Sequence, residues 1–216
     1  MTTTGTRAER TLATRRRMVK AAYDLFRANG YLGTTISAVA GEAGVAVPTI
    51  YYTFSTKAAL LGEALGAAIM GFDRWREPPP DPAVAALLPW HQWWADFQAA
   101  PTSGDALRVF IEYGTGILQR VGPLVPAMRG SAGDPDAAGF VEMNEERRIE
   151  SYREVVKIVA GKPPGLGHGL TIQAATDILA ALLSADVYQG LSARSWSHAR
   201  CTRFFQQLLA SQLLDP

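Results

Sequence analysis

Apolar positions recur at three- and four-residue spacings along almost the whole chain, and period-two runs rich in Val, Ile and Thr are missing, so the pattern predicts an all-α fold. A first helix is expected from Arg7 to Asn29, with Met18, Ala22, Leu25 and Phe26 on one face and Gly30 as its C-terminal stop. Thr35 is placed to N-cap a short helix ending at Gly44, and another helix begins near Val47, where Pro48 is tolerated in the first turn because that N–H has no helical partner. Ile50 and Phe54 lie four apart and should both face inward. A fourth helix is predicted from Thr56 to about Arg76, where Glu77-Pro78-Pro79-Pro80-Asp81-Pro82 ends it and marks the main boundary in the chain. Further helices are expected at 83–99, 104–120, 123–131, 134–160, 171–190 and 197–214, and the Gly- and Pro-rich stretch from Gly161 to Gly169 reads as a loop that moves.

The 216 residues are 48% hydrophobic and 19% charged, which excludes disordered and collagen-like classes and leaves length for a small module beside a larger domain. No apolar run approaches the roughly 18 residues of a membrane span, and the early arginines lead into an amphipathic pattern, so a cytoplasmic location is expected with no membrane partner. A single cysteine, Cys201, excludes an internal disulfide framework and a cysteine-based zinc site, while the three histidines at 91, 168 and 198 lack metal-ligand spacing. Neither a metal nor a cofactor is expected.

Charge changes the picture more than composition does. Residues 1–57 carry eight Lys and Arg against three acids, a surplus of five positive charges in a chain whose net charge is +1. Such asymmetry suits an anionic partner for the N-terminal part. Within it, Thr35 to Lys57 reads as two short helices about a glycine turn, the arrangement that sets a second helix steeply to the first and fits it to a DNA major groove. Lys57 falls in the first turn of a helix, where the macrodipole disfavours a cation unless an anion lies near. Ala46 is a poor cap for the helix it precedes. Tyr51 and Tyr52 are about 100° apart around the helix, so both cannot be fully buried.

The run Ala43-Gly44-Val45, Pro48-Thr49-Ile50-Tyr51-Tyr52-Thr53-Phe54 and Lys57-Ala58-Ala59-Leu60-Leu61 resembles the DNA-binding module of tetracycline-repressor (TetR) family regulators, with the resemblance concentrated in residues 12–61. It implies a three-helix DNA-binding module over residues 1–57 and an all-helical effector-binding and dimerisation domain over 58–216, joined by the fourth helix. Carried over by position, Thr35, Tyr51 and Lys57 resemble phosphate contacts, and Val47, Pro48, Thr49 and Tyr52 resemble the recognition-helix residues that face bases. The chain departs from the family pattern at Ala46, Pro48, Thr53 and Ala58. Val47 and Pro48 offer apolar surface, suited to thymine methyls and shape rather than to bidentate base contacts.

In the C-terminal part, Trp90, Trp93, Trp94 and Phe97 recur at helical spacing, Phe110, Tyr113 and Ile117 form a second stripe, and Phe140 with Met143 begins a third. These rings are either plain core or the wall of a small-molecule site, with His91, Glu112, Tyr113, Arg147 and Tyr152 as candidate polar groups. The run Glu142 to Glu150 reads as a solvated helix face. Ile172, Ala175, Leu179, Leu182 and Leu183 form one late stripe, and Trp196, Phe204, Phe205, Leu208, Leu209, Leu213 and Leu214 another that is wide enough for either a homodimer interface or burial within the monomer.

No G-x-x-x-x-G-K-[ST], H-E-x-x-H, G-x-S-x-G or G-x-G-x-x-G motif occurs, so an enzyme is not expected. The expected function is a ligand-responsive transcriptional regulator: a homodimeric repressor on a palindromic double-stranded operator, released by a small aromatic or lipophilic effector. The alternative is an all-α protein that sequesters small molecules without operator function.

Overall fold

A computed structural model describes residues 6–75 and 84–215. The expected end of the fourth helix at Arg76 and the boundary from Glu77 to Pro82 lie outside the described residues. Twelve α-helices run through the described chain and no strand occurs among these residues. They are α1 (Arg7–Gly33), α2 (Ile36–Ala43), α3 (Val47–Phe54), α4 (Lys57–Met70), α5 (Val84–Leu87), α6 (Trp94–Ala99), α7 (Ser103–Val121), α8 (Val125–Gly130), α9 (Pro135–Ala160), α10 (Ile172–Leu182), α11 (Ala185–Ser192) and α12 (His198–Leu213).

The chain divides into two compact units, Met1–Glu77 with Pro123–Glu142, and Pro78–Gly122 with Met143–Pro216, and the division falls within α9. The boundary expected at residue 57 for the DNA-reading module falls inside the first unit, because α4 packs back on α1 and α8 packs on α1 as well.

In the first unit, Met18, Ala22 and Phe26 are buried on one face of α1, as their spacing requires, and Ile36, Val39, Ile50, Phe54, Leu60 and Leu61 of the following helices are buried too. Gly30 interrupts α1 with φ 69° and ψ −179°, a conformation that is essentially glycine's own. The kink folds Tyr31 back onto Phe26, with ring centroids 5.9 Å apart, and the Thr34 hydroxyl donates to the Gly30 carbonyl at 2.8 Å. The fourth helix ends at Met70, earlier than the proline run suggested. Gly71, at φ 90°, stops it, and the turn that follows buries Trp75.

The second unit is built on α7, which packs against α6, α11 and α12. Two predicted helices are divided. The 83–99 stretch breaks at Leu88–Trp90 and restarts at Trp94, since Pro89 cannot continue an α-helical hydrogen-bond ladder. The 171–190 stretch breaks after Leu182, and Ser184 caps α11 through the Val187 N–H. The Gly161–Gly169 loop, expected to move, is tied down instead. Lys162 Nζ donates to the carbonyls of Gln98 and Ala100, the Ser103 N–H to that of Pro163, and the Gly167 N–H to that of Leu213. Each bond satisfies a backbone group that a mobile loop would leave to water.

Candidate functional site

The first unit presents α2 and α3 as a helix pair about Gly44. This residue sits at φ 65°, ψ 42°, and the Val45 and Gly44 N–H groups donate to the carbonyls of Ala40 and Gly41, the paired bonds of a Schellman turn. Thr35 caps α2 through the Ala38 N–H at 3.1 Å and is exposed, so its hydroxyl lies at the surface where α2 begins. No side chain caps α3, whose first turn holds Pro48. Ile50 and Phe54 anchor α3 in the core while Pro48, Tyr51 and Tyr52 face outward, and Val47 and Thr49 are half-buried. Tyr51 is 51% exposed and Tyr52 93%, an exposure that no requirement of this unit's own core explains. The Thr53 hydroxyl turns back to the Thr49 carbonyl at 2.8 Å.

Lys57 stands at the first position of α4, where the helix dipole opposes it. Its ammonium donates to the carbonyls of Tyr31 at 3.0 Å and Thr34 at 3.2 Å and lies 4.2 Å from the centroid of the Tyr31 ring. These contacts compensate the dipole penalty without any phosphate, which corrects the inference drawn from its awkward position. Two of the three ammonium hydrogens are used in these bonds. The Tyr31 hydroxyl donates to Asp134 in the loop before α9, and this bond, with the N–H groups of Ala137 and Asp136, holds the Asp134 carboxyl below the usual carboxylate range.

The basic surplus of the first quarter is partly internal. Arg15 pairs with Glu63 of α4 at 2.7 Å, with Phe54 and Trp75 beside its guanidinium, and Arg16 holds the Trp75 carbonyl at 3.1 and 2.8 Å. Lys20 pairs with Asp24. Arg7, Arg10, Arg17 and Arg27 are exposed.

In the second unit, Trp93, Phe97 and Phe110 share the core with Tyr152, joined edge to face. Trp93 lies 5.2 Å from Phe97 and 5.3 Å from Phe110, and Phe110 lies 5.5 Å from Tyr152. Trp94 and Tyr113 pack against this cluster half-buried. The single aromatic helix face read from the sequence does not form, because no α-helix spans Trp90 to Phe97: the chain turns at His91–Trp93 and re-enters helix only at Trp94, which leaves Trp90 exposed. Phe140 belongs to the first unit, its ring against Gly62 of α4 where a Cβ would come within 3.0 Å, so it is not part of this cluster. Met143 and Arg147 are half-buried on α9. Burial, followed by the charge of Arg120, lowers the His91 pKa.

Arg148 and Tyr152, the second already a candidate polar group in the sequence, matter here. Arg148 lies in the run taken for a solvated face. Yet its guanidinium grips both oxygens of Glu145 at 2.8 and 2.6 Å and donates to the carbonyls of Ala180 at 3.0 Å and Leu183 at 3.3 Å. The Tyr152 hydroxyl donates to the same Leu183 carbonyl at 2.8 Å, and burial raises its pKa. Together they satisfy the carbonyls at the end of α10, where a cation also complements the dipole, and so hold the α10–α11 break.

The late stripes divide as well. Ala175, Leu179, Leu183, Phe205 and Leu209 are buried within the protomer, which corrects their assignment to a subunit interface, because a side chain already enclosed by its own chain has no surface to offer. Ile172, Leu182, Phe204 and Leu208 are half-buried.

Residues 18–64 match the family model of bacterial regulatory proteins of the TetR family. The N-terminal module is that of the TetR family. No curated protein matches the chain significantly. Among solved structures, the chain is similar to one assigned to the TetR family of transcriptional regulators from Mesorhizobium loti, with 17% identity over 98% of this chain and 100% of that one and a TM-score of 0.67. It is similar to the transcriptional regulator FadR from Bacillus subtilis in complex with stearoyl-CoA, with 16% identity over 90% of this chain and 97% of that one and a TM-score of 0.62. It is also similar to NalD, the secondary repressor of the MexAB-OprM multidrug efflux pump in Pseudomonas aeruginosa, with 18% identity over 94% and 97% and a TM-score of 0.61. At these identities the likeness fixes the fold: a TetR-type helix-turn-helix module with an all-helical C-terminal domain. No described helix is long and apolar enough to cross a membrane.

Proposed function

We propose that the protein is a homodimeric transcriptional repressor that binds a palindromic operator through α2 and α3 and is released by a small aromatic or lipophilic effector held by the second unit. The observation that carries the DNA-binding reading is the exposure of Tyr51 and Tyr52 on a helix whose other face is anchored by Ile50 and Phe54 within a TetR-type module. Thr35, Tyr51 and Lys57 contact the phosphate backbone, and Val47, Pro48, Thr49 and Tyr52 meet the bases. With two apolar residues opening α3, readout leans on methyl contacts and groove shape. Ile172, Leu182, Phe204 and Leu208 of α10 and α12 supply the apolar surface for the two-fold partner, and a two-fold dimer calls for a palindrome.

The effector reading is supported by the aromatic cluster around Trp93, and FadR, of this fold, was solved with stearoyl-CoA. Release requires the effector to prefer the DNA-incompetent state. The test is selection of bound sequences from a random duplex library by the full chain. Recovery of a palindrome whose preferred bases change in Tyr52→Ala and Thr49→Ala supports the reading, and recovery of no preferred sequence overturns it in favour of a sequestering protein.

A further inference from the structure

We propose that the effector is an uncharged, mainly apolar molecule carrying a carbonyl-type oxygen, and that the Trp93 indole Nε1–H donates to this oxygen. The proposal rests on the reading of the second unit as an effector domain and names the chemistry of its ligand. Trp93 is 4% exposed, and its indole nitrogen has no hydrogen-bond partner among the described residues. An indole offers one N–H and no acceptor, so only an acceptor atom can satisfy it, and a buried donor left unpaired is unfavourable. The three aromatic rings packed edge-on to it supply none. Trp94, Phe97 and Phe110 meet the indole at interplanar angles of 72°, 79° and 67°, and an aromatic face is at best a weak acceptor.

The charge of the ligand follows from the groups already paired. Arg148, the cation packed on Tyr152 in the same cluster, is occupied by both Glu145 oxygens and two carbonyls, and the Tyr152 hydroxyl is taken by Leu183. His91, 5.9 Å from the Trp93 ring, has its pKa lowered by burial and by the charge of Arg120. Among these groups a ligand carboxylate finds no cation awaiting a partner. What remains is one neutral N–H donor beside aromatic rings, the complement of a ketone, ester, lactone or amide on a flat or aliphatic body.

The experiment uses a matched pair of probes, 2-acetylnaphthalene and 2-isopropenylnaphthalene, which differ by C=O against C=CH2. Full-length protein with 15N-labelled indoles shows signals from its five tryptophans, and the signal missing in Trp93→Phe identifies Trp93. The expected result is about tenfold tighter binding of the ketone, as one hydrogen bond to a buried donor supplies. The Trp93 N–H signal moves downfield with the ketone only, and Trp93→Phe binds the two probes equally. Equal binding of both probes by the wild-type protein, with the Trp93 N–H unmoved, overturns the acceptor assignment and leaves the effector domain standing. Binding of neither probe overturns the acceptor assignment and the effector reading together. The wild-type comparison decides the matter even if Trp93→Phe fails to fold.

Discussion

Helix α3 and the aromatic cluster use the same residue types in opposite ways. On α3, two adjacent tyrosines stand out in water while two apolar residues four apart hold the helix down, so function is visible as surface that the core does not need. Around Trp93 the rings are buried against one another, and the indole nitrogen is a polar atom that the core fails to satisfy. Exposure of a large side chain on a short helix is decided by helical geometry within a few residues. The pairing of a buried indole is decided by elements far apart in sequence. Substitutions should therefore separate stability from binding cleanly on α3 and mix them in the cluster.

The largest effect expected is from Phe97→Ala, which removes a fully buried ring and should destabilise the protein by about 3–5 kcal/mol. Tyr52→Ala should stay within about 0.5 kcal/mol of wild type while altering operator preference. Denaturant unfolding of the two variants makes the comparison, and similar losses would erase the distinction. Next in size is Arg148→Ala, which leaves the Glu145 carboxylate and the end of α10 short of donors and should cost about 1–3 kcal/mol. Arg148→Lys should recover only part of this, because an ammonium lacks the planar fork, and thermal melts rank the three proteins.

Lys57→Ala should cost the module about 1 kcal/mol through the lost carbonyl contacts. The log–log salt slope of DNA binding should also fall by about one, the share of a single phosphate. An unchanged slope would make Lys57 a purely internal clamp. The smallest effect is expected at His91. Its pKa in the folded protein is lowered by burial, so its share of stability is complete above the ordinary histidine pKa of about 6.5 and is lost as pH falls from there toward the folded value. Melting temperatures measured down through that window should decline less in His91→Gln than in wild type.

How much could be read beforehand follows the same division. Gly30, Thr35, Gly44 and Pro48 located the first helices, since each acts through its own backbone conformation or cap. Pro89 had equal local force and was overridden in the reading by an attractive aromatic spacing, and Ser184, an N-cap within an apolar run, was passed over in the same way. The basic surplus overstated the charge open to DNA, because sequence does not reveal that Arg15 meets Glu63 or that Arg16 meets the Trp75 carbonyl.

The sequence by itself determined the all-helical class, the helix-turn-helix segment with its inward Ile50 and Phe54, and the chain's TetR resemblance, because caps, turn glycines and 3.6-residue periodicity act over a few residues. The tertiary structure alone decided which late apolar residues are core and which reach the surface, where Phe140 belongs, and how Arg148 and Tyr152 close the end of α10. It alone left the Trp93 N–H without an acceptor. Burial and hydrogen-bond satisfaction depend on what packs against a side chain from across the chain, and periodicity carries no such information.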